Sequence, residues 1–131
     1  MKYLLDTNVC IALLRGNPGV IKRLRAVPPD DCGVSMISTF ELFSGVERCR
    51  DPERERLKVE ALLAPLHLLP FDGEASLRAA QVRWNLEKQG RVIGPYDLLL
   101  AGQALSLDVT FVTRNTKEFA RVPGLALEDW E

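Results

Sequence analysis

Along the chain, short apolar runs alternate with longer stretches in which apolar residues recur every three or four positions. That alternation predicts strands interleaved with helices, and so an α/β fold around a parallel sheet. Residues 2–5 form the first strand. A helix over residues 8–15 follows, with Thr7 or Asn8 as its cap and Gly16 past its end. Asn17-Pro18 opens a second helix, with proline at the first helical position, where its missing N–H costs nothing. Residues 32–36 form the second strand, and Ser38-Thr39-Phe40-Glu41 reads as a capping box opening a helix to Cys49. Asp51-Pro52 starts another helix, with Leu57, Ala61 and Ala64 at helical spacing. Residues 67–71 make the third strand, and Asp72 caps a long helix that Gly90 closes. Gly94-Pro95 begins the next helix, directing Leu98, Leu99, Ala101, Gly102 and Leu105 to the core. Residues 109–113, rich in β-branched side chains, form the fourth strand. A helical turn spans residues 116–119, and residues 125–127 supply a fifth strand at the edge.

Composition narrows the class. The 131 residues show no repeat, low-complexity tract or linker, so one domain is expected over residues 1–131. Hydrophobic residues at 47% and charged residues at 27% suit a globular chain with a sizeable core. No apolar run reaches the roughly 18 residues that cross a bilayer, and Asp6 arrives too early for a secretory signal. A cytoplasmic protein without a membrane partner is the expectation. Cys10, Cys32 and Cys49 form an odd set without C-x-x-C spacing, against a disulfide framework or a zinc knuckle. A net charge of −1 excludes a uniformly basic coat, so nucleic acid would have to meet a local patch.

Open parallel sheets bind ligands beyond the carboxyl ends of their strands, where strand order reverses. Four polar residues fall at that edge. Asp6 ends strand one, Glu41 lies in the first turn of the helix after strand two, Asp97 follows Gly94-Pro95, and Asn115 stands just past strand four. Each also has a purely structural reading. Glu41 could complete a capping box, Asp97 could favour a helix N-terminus, and Asn115 could cap the turn that follows. With Thr7 and Asn8 available as caps, Asp6 has no structural duty. Converging carboxylates repel unless a cation lies between them, and an all-oxygen site suits Mg²⁺ or Mn²⁺. Phosphoryl transfer to water is the matching chemistry.

The blocks Tyr3-Leu4-Leu5-Asp6-Thr7-Asn8-Val9, Ser35 to Gly45 around Glu41, Gly94-Pro95-Tyr96-Asp97-Leu98, and Val112 to Phe119 resemble the motifs of PIN-domain ribonucleases. With the ending Val122-Pro123-Gly124-Leu125 and Glu128-Asp129-Trp130, the chain resembles the VapC toxins of VapBC toxin–antitoxin pairs. The resemblance runs nearly end to end. It implies a three-layer α/β/α fold with a mainly parallel sheet of four to five strands, and Mg²⁺- or Mn²⁺-dependent RNA cleavage. Transfer RNA is the favoured substrate, with ribosomal RNA the other class such toxins attack. It further implies a VapB-like antitoxin that occupies the site, and homodimers in that complex. By position, Asp6 and Asp97 would be the main metal ligands and Glu41 a further one, direct or through water. Asn115 falls where many PIN domains carry a fourth acid, and brings no charge. Asn8 and Thr113 would support Asp6 or substrate phosphate. Apart from the resemblance, Arg114 flanks Asn115 at the proposed site, where its guanidinium could steady substrate phosphate or transition-state charge.

His67 reads as a buried or edge imidazole. The face Phe40, Phe43 and Val46 and the face Leu77, Ala80 and Trp84 read as core, or else as a partner surface. A phospho-accepting receiver domain would need paired acids after strand one, and a phosphatase with an Asp nucleophile a second acid at Asn8; neither is present. The remaining rival is a PIN-like module that binds RNA or protein without cleaving.

Overall fold

Five strands form the middle layer of the computed structural model, which describes all 131 residues. They are β1 (Tyr3–Leu5), β2 (Cys32–Ser35), β3 (His67–Leu69), β4 (Thr110–Val112) and β5 (Leu127–Glu128). All pairings are parallel, in the order β3-β2-β1-β4-β5. The first three strands therefore step one way from β1 and the last two step the other. The crevice between β1 and β4 is the point of reversal.

A central strand covered on both faces must be apolar at every position. In β1 both Leu4 and Leu5 are fully buried, and strand alternation sends them to opposite layers. Leu5 joins Val34 and Val112 under α1 (Thr7–Leu14), α2 (Pro18–Arg25), α3 (Met36–Glu47) and α4 (Pro52–Leu63). Leu4 joins Phe111 under α5 (Gly73–Lys88), α6 (Pro95–Leu107) and α7 (Thr116–Phe119). Each such leucine contributes about 1.5–3 kcal/mol on burial. The helices α5 and α6 approach so closely that a methyl group at Gly102 would overlap the backbone of Ala79. No helix is long and apolar enough to cross a membrane.

Several local expectations shift. Asp6 itself caps α1, accepting from the Thr7 amide, so the helix begins one residue earlier than Thr7 or Asn8 capping requires. The capping box Ser38–Glu41 does not form. Ser35 caps α3 by accepting from the Ile37 amide, which moves Glu41 into the second turn and buries Ser38. On α4 the buried stripe is Val59 and Leu63, leaving Leu57, Ala61 and Ala64 in solvent. On α5 it is Ala75, Ala79, Val82 and Leu86, leaving Leu77, Ala80 and Trp84 exposed. Phe40 is likewise exposed, while Val46 is core. His67 lies half-exposed on the edge strand β3, 3.7 Å from Asp30.

Candidate active site

The site grows from the end of β1. The backbone of Asp6 continues the sheet for one more bond, its amide donating to the Val112 carbonyl at 2.9 Å. Its carboxylate is only 2% exposed and is gripped from both sides. The Thr7 amide donates to Oδ1 at 2.8 Å, and the fully buried Thr113 hydroxyl donates to Oδ2 at 2.8 Å. Thr113 Oγ1 also accepts from the Asn115 amide at 3.0 Å, which shapes the turn leaving β4.

From α3, Glu41 reaches the same edge. Its Oε1 accepts from the Thr7 hydroxyl at 2.7 Å. Thr7 Oγ1 lies 2.8 Å from the buried Ser38 Oγ, so Ser38 donates to Thr7 and Thr7 donates to Glu41. This chain of two hydroxyls sets the carboxylate's rotamer. Asp97 stands in the first turn of α6, its Oδ2 folded back toward Gly94.

A fourth carboxylate belongs to Glu118, on α7. Its Oε1 accepts from the Gly94 amide at 3.4 Å, and its Oε2 accepts a short hydrogen bond from the Asn115 side-chain amide. Asn115 does not cap α7 with its side chain. Its carboxamide instead holds Glu118, so the negative charge missing at position 115 returns three residues later. Sequence reading overlooked Glu118. The signal was available, because an acid in the first turn of a helix just past a strand end is the argument that selects Glu41.

These acids act on one another. Burial pushes the Asp6 carboxyl up to about 6; the hydrogen bonds from Thr113 and Thr7 oppose the rise, and the charges of Glu41 and Glu118 add to it. Burial also pushes Asp97 to about 6, followed by the charges of Asp6, Glu118 and Glu41 and a hydrogen bond shared with Glu118. Asp6, Glu41, Asp97 and Glu118 thus share one electrostatic neighbourhood.

The remaining sequence candidates lie to one side. Asn8 is exposed and lines a cleft with Arg15, Asn17 and Arg114. The guanidinium of Arg114 turns to Glu131 at 3.6 Å. Cys10 lies beneath Asp6 as a buried hydrophobe, its thiol pushed up to about 12 by burial and then by the Asp6 charge, which removes it as a thiolate ligand.

The donor set fits a hard divalent cation. It is all oxygen, and Mg²⁺ needs only one or two carboxylates because it keeps several waters. No three carboxylates close around a common point, since Glu41 is drawn to Thr7 and Glu118 to Asn115. Asp6 and Asp97 are the pair whose affinity for protons is raised, by burial first and then by the neighbouring acids.

Known proteins share this sequence pattern and fold. Residues 3–125 match the PIN domain family. The tRNA(fMet)-specific endonuclease VapC of Shigella flexneri is 35% identical over 130 residues, covering 99% of this chain and 98% of the relative. Ribonuclease VapC2 of Rickettsia felis is 33% identical over 133 residues, covering 100% and 99%. A crystal structure of DNA-bound VapBC from Salmonella typhimurium contains a chain that superposes with a TM-score of 0.96 at 36% identity, over 100% of this chain and 99% of that one. With its wholly parallel five-stranded sheet and its acids gathered at the point of strand reversal, the chain belongs to the PIN domain family, among the VapC ribonucleases.

Proposed function

We propose that this protein is an endoribonuclease that depends on Mg²⁺ or Mn²⁺, hydrolyses phosphodiester bonds in transfer RNA, and serves as the toxin restrained by a VapB-like antitoxin. The observation that carries the reading is the cluster of Asp6, Glu41, Asp97 and Glu118 at the β1–β4 crevice, with two members lifted to about 6 by burial and mutual repulsion. Folding has brought together acids whose mutual repulsion a cation would relieve.

Asp6 and Asp97 would hold the ion directly, with Glu41 and Glu118 as further oxygen donors, direct or through water. When bound, the ion supplies charge neutralisation at the phosphoryl oxygens and a water of lowered pKa. The chain's own groups supply the rest. Thr113 and the Thr7 amide fix the Asp6 carboxylate by a hydrogen bond to each of its oxygens. The Ser38–Thr7 relay keeps Glu41 where it can orient a water and take its proton on the second oxygen, Oε2. Asn115 aligns Glu118 against Gly94, so the far wall of the crevice is charged rather than merely polar.

Transfer RNA as substrate is supported by the specificity in the name of the Shigella relative. An antitoxin partner is supported by the VapBC complex whose toxin chain superposes so closely. A groove of about 450 Å³ beside Glu41, with Ile11, Leu14, Leu42, Val46 and Val59 in its wall, offers such a partner an apolar seat. The exposed Leu77 and Trp84 supply a separate apolar surface suited to homodimerisation. The decisive experiment is incubation of purified protein with tRNA and Mg²⁺, with RNA ends mapped by sequencing. Discrete cleavage by wild type, absent in a folded Asp97→Asn variant, is the expected result. Equal cleavage by both would assign the activity to a contaminant and leave a binding module.

A further inference from the structure

Beside the carboxylate cluster lies a second polar concavity, a cleft of about 380 Å³ between α1, the start of α2 and the turn after β4. Its wall carries Asn8, Arg15, Asn17, Arg114 and Glu131. We propose that this cleft is a binding subsite for a backbone phosphate of the RNA flanking the scissile bond, and that the Glu131 carboxylate fills it when RNA is absent. The proposal rests on the ribonuclease reading and extends it to the path of the substrate.

An anion already sits in the cleft. Glu131 Oε1 accepts from the Asn17 side-chain amide at 3.1 Å, and Oε2 lies 3.6 Å from Arg114 Nε. Only 19% of the Glu131 side chain is exposed, so the carboxylate is seated rather than swinging in solvent. The seat is built by the fold. Asn17 Oδ1 caps α2 by accepting from the Val20 amide at 3.1 Å, which leaves its amide nitrogen directed at the cleft. The positive end of the α2 dipole lies behind it. Trp130, 3% exposed, packs edge-on against Tyr3 at 5.2 Å and donates its indole N–H to Glu128, and this fixes where Glu131 emerges. Arg15 has no acidic partner, so the cleft holds one cation more than its anion offsets.

Position and chemistry then point to phosphate. Arg114 follows Thr113, whose hydroxyl holds Asp6, and Asn8 stands two residues after Asp6, so two lining residues of the cleft are chain neighbours of the proposed reaction centre. A guanidinium and a primary amide bind a phosphodiester oxygen as they bind a carboxylate. Exchange of Glu131 for RNA would free both donors without leaving a buried charge, because the released carboxylate meets water.

The test is binding of a fluorescein-labelled single-stranded oligoribonucleotide, followed by anisotropy over a range of KCl concentrations, with Ca²⁺ replacing Mg²⁺ to suppress hydrolysis. Arg114→Gln should weaken binding roughly five- to tenfold and lower the slope of log Kd against log salt by about 0.7, the loss of one single-strand phosphate contact. Glu131→Gln should tighten binding roughly two- to threefold in the wild type and do nothing in the Arg114→Gln background, the two being coupled only through this cleft. An unchanged salt slope in Arg114→Gln, or an equal effect of Glu131→Gln in both backgrounds, overturns the subsite. Those results would leave tRNA cleavage by the wild type intact, whereas loss of the nuclease reading would show as binding without cleavage in Mg²⁺. Arg114 is exposed, Glu131→Gln is isosteric, and circular dichroism of each variant verifies the fold.

Discussion

The two ends of the sheet are built from the same strands and differ in what they bury. At the amino ends, polar demand is met by backbone. The Lys2 amide donates to the Asp31 carbonyl at 2.9 Å and the Thr110 amide to the Lys2 carbonyl at 3.0 Å, while Asp108 turns the chain in solvent. At the carboxyl ends, demand is met by side chains that are themselves buried: Asp6, Thr113, Ser35, Ser38 and Thr39. Both ends carry a concavity, and the amino-end cleft of about 330 Å³ is lined by Lys2, Tyr3, Leu105 and Val109. Concavity therefore does not distinguish the functional end. Buried charge does: the carboxyl end holds the buried Asp6 among carboxylates that repel it, whereas the Asp108 carboxylate of the amino-end cleft is exposed. A fold keeps such an arrangement where a ligand relieves it.

Substitutions at the carboxyl end should break function and relieve the fold. The largest effect is expected for Asp97→Asn, which should lower tRNA cleavage by at least about 100-fold while the variant stays folded, measured by single-turnover assay and circular dichroism.

Next is the pH response of the metal-free protein. Because the folded state raises the Asp6 pKa from 3.8 to about 6, the proton binds the folded form more tightly. That contribution is fully present below the unfolded value and is lost as pH rises to about 6. Urea unfolding in EDTA should accordingly show roughly 2–3 kcal/mol less stability at pH 7.5 than near pH 4 from this group, and Asp6→Asn should remove that share while Asp97 keeps a dependence of the same sign. Mn²⁺ should act in the opposite sense. Its stabilising shift in melting temperature should be largest above pH 6 and shrink below it as protons compete for the same oxygens. No shift at any pH would remove the metal site.

A smaller effect is expected at the hydroxyl relay. Thr7→Val deletes the donor to Glu41 and should cost roughly 1 kcal/mol of stability, with cleavage reduced several-fold. Thr7→Ser should restore the rate, which a purely packing role for the threonine methyl would not allow. The smallest effect belongs to the amino end. Asp108 closes α6 at φ 55, a left-handed conformation that glycine adopts freely. Asp108→Gly should raise stability by about 0.5–1 kcal/mol, read by thermal melting, and leave tRNA cleavage as it was.

Much of this was legible in one dimension. The caps Asn17, Asp51, Asp72 and Gly94 open the helices that their neighbours Pro18, Pro52 and Pro95 and the apolar periodicity predict. Asp6 was legible as an acid ending a strand, and Glu41 and Asp97 as acids near the starts of helices. The relay from Ser38 through Thr7 was not, because a capping box and a helix begun three residues earlier use the same letters. Choosing between them depends on whether Ser35 ends β2 or continues it. The faces of α4 and α5 were ambiguous for a related reason. On each helix two stripes carry apolar residues, and only the layer beneath decides whether Leu63 or Leu57, Val82 or Trp84, turns inward.

Local chemistry along the chain determined the element order, the parallel α/β class and the presence of acids at strand ends, since hydrophobic period and capping act over a few residues. Tertiary structure decided which acids meet. Glu118 reaches Asp97 only because α7 folds back over the start of α6, and Arg114 meets Glu131 only because Trp130 anchors the segment after β5. Electrostatic interaction depends on distance through space and on exclusion of water, and neither quantity exists until the chain has folded.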